Sequence, residues 1–244
     1  MYDSTCFLGG VVFLYVLMYS LFGSYMLDGK QKRAFHSILS GLKFAKHGNK
    51  KVRFLTLTTS DVCFGSVGYD SSCLNSDFQV LKKRIKRYTP FRLFREGYIT
   101  KNQMVSLYRG SNYFKPFNFE YFKVVTNEGN GVIHVVYRGS YLPHSFLVDN
   151  WMDIHLSWDV DIRMVDLSNP KGASCYVVSQ YVGGQGCSYV RSSQSWNWVF
   201  RGFKSLWYSM RYSYPDCCIE LWDRILRKKA MELFFTQSCL SDFG

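Results

Sequence analysis

The sequence predicts an α+β fold on a ferredoxin-like (RRM-like) sheet, with elements in the order β-α-β-β-α-β between Val52 and Val165. Three observations predict it. Alternating apolar and polar residues mark strands, runs with helical spacing separate them, and the dense turn signal Asn127-Glu128-Gly129-Asn130-Gly131 joins two strands into a hairpin.

The elements follow in order. Residues 6–27 form a mostly apolar, uncharged run long enough for a bilayer-spanning helix. Only Asp3 precedes the run, whereas Lys30, Lys32, Arg33, Lys43 and Lys46 follow it, which argues against a cleaved signal peptide and directs the remainder to the cytoplasm. A buried core helix, or a start codon set too far upstream, are the alternatives. From Gln31 to Lys46, Phe35, Ile38, Leu39, Leu42 and Phe44 recur at near-helical spacing among basic residues, as in an amphipathic lead-in helix. Val52 to Thr58 alternates with β-branched enrichment, a strand with one buried face. After the Gly/Ser/Asp loop from Gly65 to Ser76, Phe78, Val80, Leu81 and Ile85 alternate with Lys82, Lys83, Arg84, Lys86 and Arg87 until Pro90 stops the segment: a helix with one core face and one positive face. Phe119 to Val125 and Val132 to Tyr137 read as the hairpin strands, Ser145 to Ile154 as a helix, and Val160 to Val165 as a strand. A helix from Ala173 to Val182 follows the Pro170-Lys171-Gly172 break.

The chain of 244 residues suits one well-buried domain plus an appendage. At 47% hydrophobic and 18% aromatic it is not a disordered protein. A net charge of +12 favours polyanionic partners, nucleic acid first and an anionic membrane face second. Eight cysteines without C-x-x-C pairs or Cys/His zinc spacing read as reduced cytoplasmic thiols. The chain has no G-x-x-x-x-G-K-[ST] loop, so it carries no ATPase motor of that kind and unwinding falls to a partner.

Two motifs bear on chemistry. His134 lies within Gly131-Val132-Ile133-His134-Val135-Val136-Tyr137, and on its own reads as a core histidine. Tyr176-Val177-Val178-Ser179-Gln180-Tyr181 places two tyrosines five apart, on different faces of an ideal helix, so at most one points at a given site. A phenol with a pKa near ~10 needs a metal or base to act as a nucleophile, and either tyrosine alone reads as a packing aromatic.

The Phe54 to Thr58 strand, the His134 strand and the Tyr176 to Tyr181 helix occur in the order and spacing of the three motifs of rolling-circle replication initiators. From about Val52 to Val182 the chain resembles this group, the HUH endonuclease superfamily, as a divergent member of plasmid or viral type. It departs from the family in two places: Val136 stands where a second motif histidine is usual, and Ser179 and Gln180 where a lysine is. Composition divides off a hydrophobic segment (1–29), a basic lead-in (30–51) and a basic aromatic tail (201–244), and the resemblance implies an HUH-like nuclease domain (52–200) between them with the tyrosine helix packed on the sheet. It implies a nucleophile, Tyr176 first and Tyr181 second. It also implies a divalent Mg²⁺ or Mn²⁺ at His134; in place of the second histidine, Glu128 on the adjoining hairpin turn is the supplementary ligand nearest in sequence, with His155 and Asp161 as remoter candidates. Attack on a phosphodiester would leave a 5′-phosphotyrosine and a free 3′-hydroxyl. The implied partners are single-stranded or hairpin origin DNA and a host helicase and polymerase; the apolar run separately suggests membrane contact through residues 6–27.

Lys82, Lys83, Arg84, Lys86, Arg87, Arg92 and Arg95 form the densest positive cluster, suited to phosphates or simply solvated. Tyr189 to Trp198, with Arg191 and Trp196, has a composition suited to stacking unpaired bases. The competing readings are a non-catalytic DNA-binding protein of the same fold, a transposase or relaxase, and a membrane-anchored protein whose basic surface holds anionic lipid.

Overall fold

The structure, a computed structural model, describes residues 29–59, 71–109, 112–126, 131–183 and 191–241. The apolar run at 6–27 lies outside them. Among the described residues no helix is long and apolar enough to cross a membrane, and Cys73, Cys175, Cys217 and Cys218 are free thiols.

The fold is α+β, with eight helices among the described residues and a five-stranded antiparallel sheet. In chain order the elements are α1 (Gly29–His47), β1 (Val52–Thr58), α2 (Ser71–Ile85), α3 (Pro90–Arg95), α4 (Lys101–Leu107), β2 (Phe119–Thr126), β3 (Val132–Gly139), α5 (His144–His155), β4 (Val160–Met164), α6 (Pro170–Gly183), β5 (Arg191–Gln194), α7 (Phe203–Ser213) and α8 (Cys218–Ser241). The sheet runs β4-β1-β3-β2-β5.

The chain forms two compact units, neither of them continuous in sequence. Among the described residues, one comprises 53–164 with 191–194; the other comprises 29–52, 165–183 and 195–241. This differs from the linear division expected above, because the lead-in and tail segments join residues 165–183 in a helical unit.

In the sheet unit, the pleat sends Leu55, Leu57, Tyr121, Val125, Ile133, Val135 and Tyr137 to one face. There they meet Leu74, Phe78, Leu81 and Ile85 of α2 and Phe146, Leu147 and Trp151 of α5. The opposite face carries Phe54, Phe122, Val124, His134 and Val136, which are buried as well. The expected single buried face of β1 is therefore wrong for its first half, where Val52 to Leu55 are all buried. The hairpin register pairs Val124 with His134 and Phe122 with Val136. Gly139 closes β3 at φ +138°, and a Cβ there would stand 2.0 Å from the Asn118 carbonyl oxygen. Only glycine fits that approach.

Pro90 ends nothing more than the preceding turn. It is the first residue of α3, whose Thr89 hydroxyl accepts the Arg92 N–H at 3.1 Å. Thr100 and Gln103 form a reciprocal capping box that starts α4. Pro170 likewise opens α6 instead of breaking the chain ahead of it.

In the helical unit, α1 packs against α6 and α8, and α8 against α7. The tyrosine helix, expected on the sheet, thus has α1 as its main packing partner. The indole of Trp198 donates to the Ser37 carbonyl at 3.0 Å, and that of Trp222 to the Ser40 hydroxyl at 3.0 Å. Gly41 permits this packing, since a Cβ on it would meet the Trp198 ring at 2.1 Å. Lys43 and His47 of α1 reach Asp223 of α8 at 2.8 and 3.4 Å. The segment expected to be a basic aromatic tail is a helical cover for α1.

Candidate functional site

His134 is buried, 5% exposed, and its imidazole stacks on Phe54 with ring centres 5.6 Å apart and planes 15° from parallel. Tyr176 lies on α6 and is 39% exposed. The two belong to different compact units. Glu128 and the side chain of Tyr181 lie outside the described residues.

The remoter metal ligands are committed elsewhere. His155 Nδ1 is 2.7 Å from Asp77 Oδ2, and its Nε2 is 2.9 Å from Thr59 Oγ1, so both ring nitrogens are engaged. An ionised carboxylate only accepts, which places a proton on Nδ1. The ring also stacks on Trp151 at 4.5 Å, and that indole donates to the Thr58 carbonyl at 3.1 Å. This relay ties α2, the end of β1 and α5 together. The partners of His155 are 78 and 96 residues away, so no local pattern announces them. Asp161 pairs with Arg163 at 2.7 Å on the surface.

Among the described residues no three His, Cys, Asp or Glu side chains gather as a metal site. Hard divalent cations take several oxygen donors, and a buried imidazole stacked on a phenyl ring does not supply them.

The basic cluster has a clearer geometry. Lys83 on the last turn of α2 and Lys86 and Arg87 in the turn that follows it are exposed, as is Arg95 on α3. Burial lowers the Lys82 pKa from its ordinary value, and the neighbouring charges of Lys86 and Lys83 push the same way. Lys82 also donates to Gln79 Oε1. Two members are already neutralised: Arg84 pairs with Asp153 at 2.5 Å, and Arg92 with Glu96 at 2.7 Å while lying over the Tyr88 ring at 4.1 Å. Lys83, Lys86 and Arg87 have no ion-pair partner among the described residues.

Exposed aromatics accompany these charges. Phe91 and Phe94 on α3 are half-exposed, Phe114 is more so, and the Phe91 and Phe114 rings lie 4.9 Å apart. The sequence reading missed them, although Pro90-Phe91-Arg92-Leu93-Phe94-Arg95 interleaves aromatics with arginine.

Arg191 opens β5, which pairs with β2; its side chain lies outside the described residues. Trp196 is 70% exposed, with the Arg201 guanidinium 5.4 Å from its ring, and belongs to the helical unit. Trp198, grouped with it as a base-stacking residue, is instead fully buried.

The chain matches no protein-family model, and no curated protein or solved structure matches it at a significant level.

Proposed function

We propose that the protein binds nucleic acid through the basic, aromatic surface of α2 and α3. The observation that carries this reading is the cluster of Lys82, Lys83, Lys86 and Arg87. Like charges crowd there, Lys82 is held below its ordinary pKa partly by its neighbours, and three members lack an ion-pair partner among the described residues. A polyphosphate backbone relieves that repulsion and releases counterions as it binds. Phe91, Phe94 and Phe114 add ring faces on which unpaired bases can stack. The order β4-β1-β3-β2, with α2 and α5 against one face, supports a ferredoxin-like reading of the sheet unit.

The second reading is the replication initiator, with the transposase or relaxase as its variants. The exposure of Tyr176 supports it, because a tyrosine that attacks a phosphodiester must be reachable.

One experiment separates them. The full chain is incubated with labelled single-stranded and hairpin DNA, with and without Mg²⁺ or Mn²⁺, beside Tyr176→Phe, Tyr181→Phe and His134→Ala. Salt-sensitive binding without a denaturant-resistant adduct supports the binding protein. A metal-dependent adduct lost in one tyrosine variant establishes the nicking enzyme and identifies its nucleophile. Absence of salt-sensitive binding overturns both.

A further inference from the structure

We propose that Arg53 and the tyrosines around it form a socket for a phosphate group, apart from the α2–α3 surface. Arg53 lies at the start of β1, Tyr137 on the neighbouring β3, Tyr141 just after that strand, and Tyr108 at the end of α4. All four belong to the sheet unit. The guanidinium carbon is 5.2 Å from the centre of the Tyr141 ring and 5.9 Å from that of Tyr137. Arg53 is only 9% exposed.

Two polar atoms of this cage are unsatisfied. Arg53 Nη1 and the Tyr137 phenol oxygen are buried, and neither completes a hydrogen bond of sound geometry among the described residues. Arg53 has no carboxylate within ion-pair distance there either. A guanidinium does not shed its proton in a protein, so a full positive charge stays enclosed by aromatic faces. Cation–π attraction offsets part of the lost hydration but satisfies none of the N–H donors.

The tyrosines do not act as counter-ions. Burial raises the Tyr137 and Tyr108 phenols well above their ordinary value; the Arg53 charge pulls both the other way, and at Tyr137 a contact from the guanidinium to the phenol oxygen adds to that pull while leaving the phenol O–H undonated. Both therefore stay as neutral O–H groups. Tyr108 spends its hydroxyl on the Tyr141 carbonyl at 2.7 Å, which fixes one wall of the cage. Tyr137 keeps a free donor. The socket thus offers a planar guanidinium fork and a phenol O–H, with no carboxylate paired to the guanidinium among the described residues. A phosphate oxyanion matches this set: two of its oxygens suit the fork, and another accepts from the phenol. Half-buried Tyr141 marks the side nearest solvent. The phosphate can come from a free or terminal phosphomonoester, or from a phosphodiester within a strand.

The test is thermal unfolding of the full chain in a Lys83→Ala/Lys86→Ala/Arg87→Ala/Arg95→Ala background, which strips the α2–α3 surface of its exposed cations. Sodium phosphate is titrated against chloride at constant ionic strength, and TpT and pTpT are compared. Phosphate is expected to raise the midpoint, and Arg53→Met to weaken the apparent affinity about ten- to hundredfold. Stabilisation by phosphate and pTpT alone assigns a monoester; stabilisation by TpT as well assigns a phosphodiester. Should Arg53→Met not fold, Tyr137→Phe decides: a several-fold weaker phosphate response supports the socket, and an unchanged response overturns it. No phosphate-specific shift in the unsubstituted socket, or an equal shift in Arg53→Met, also overturns it. Loss of the socket leaves the α2–α3 reading intact, because that surface is tested by oligonucleotide binding with its lysines in place.

Discussion

The basic surface makes a quantitative prediction about salt. Of the seven cations in the cluster, Arg84 and Arg92 are held by Asp153 and Glu96, and Lys82 is partly buried against Gln79. Lys83, Lys86, Arg87 and Arg95 remain exposed. If each neutralises one phosphate of a single strand, the slope of log K against log salt is about −0.7 per contact, or about −2.8 for the four. Between roughly 50 and 200 mM salt this portion of the affinity then falls about fifty-fold. Replacing the four by alanine should flatten the slope by the same ~2.8 and weaken binding most at low salt. Arg84→Ala should change the slope far less, because its charge already has a partner. Fluorescence anisotropy with a labelled single-stranded oligonucleotide, repeated over that salt range, measures both. An unchanged slope in the fourfold variant, or a slope change in Arg84→Ala as large as in Lys83→Ala, would refute the assignment of free and occupied charges.

Three predictions concern the scaffold. Gly139→Ala places a Cβ against the Asn118 carbonyl at a positive φ and should destabilise the protein by about 2 kcal/mol or more in urea unfolding; wild-type stability would contradict the strained turn. His155→Ala leaves the Asp77 carboxylate and Thr59 hydroxyl without their partner and opens a void beside Trp151, so about 3 kcal/mol should be lost. A loss below roughly 1 kcal/mol would show that the relay is not a structural tie. Burial tends to raise the Asp223 carboxyl, but Lys43 and His47 outweigh it and hold the group below its ordinary value. Its stabilising contribution is present above the unfolded pKa near ~4 and disappears as pH falls through the lower folded value. Both partners are partly solvated, so Asp223→Asn should remove only about 0.5 kcal/mol at neutral pH and nothing in strong acid. Urea unfolding at the two pH values checks this, and an equal loss at both would contradict it.

What the sequence revealed depended on how local the signal was. Val52–Thr58 is legible because alternation alone defines it, and the β2–β3 hairpin because Asn127 to Gly131 is a strong turn signal. At six and seven residues, α3 and α4 are too short to show a period, though Thr89-Pro90 and Thr100 with Gln103 carried their start signals. β5 was read as a nucleic-acid contact because its four residues owe their strand form to pairing with β2. Trp196 and Trp198 look alike in sequence, yet the acceptor that anchors Trp198 is Ser37, 161 residues earlier. His134 was placed on the right strand, but alternation could not reveal that both faces of that strand are buried. Arg53 was hidden for a similar reason: its tyrosines come from β3, the turn after it and α4.

The interleaving of the helical unit has a consequence for how the chain is made. α1 carries Phe35, Ile38, Leu42 and Phe44 in a buried stripe, and part of its cover comes from α8, with Ser40 and Trp222 separated by 182 residues. A ribosome adding about 5–20 residues per second therefore leaves that stripe incompletely covered for roughly ten to forty seconds. All the strands of the sheet emerge within that interval, so the sheet unit has its full complement of segments first. A nascent chain stalled before α8 carries an incompletely covered oily helix, which is the kind of surface that holdase chaperones bind and that aggregates in their absence.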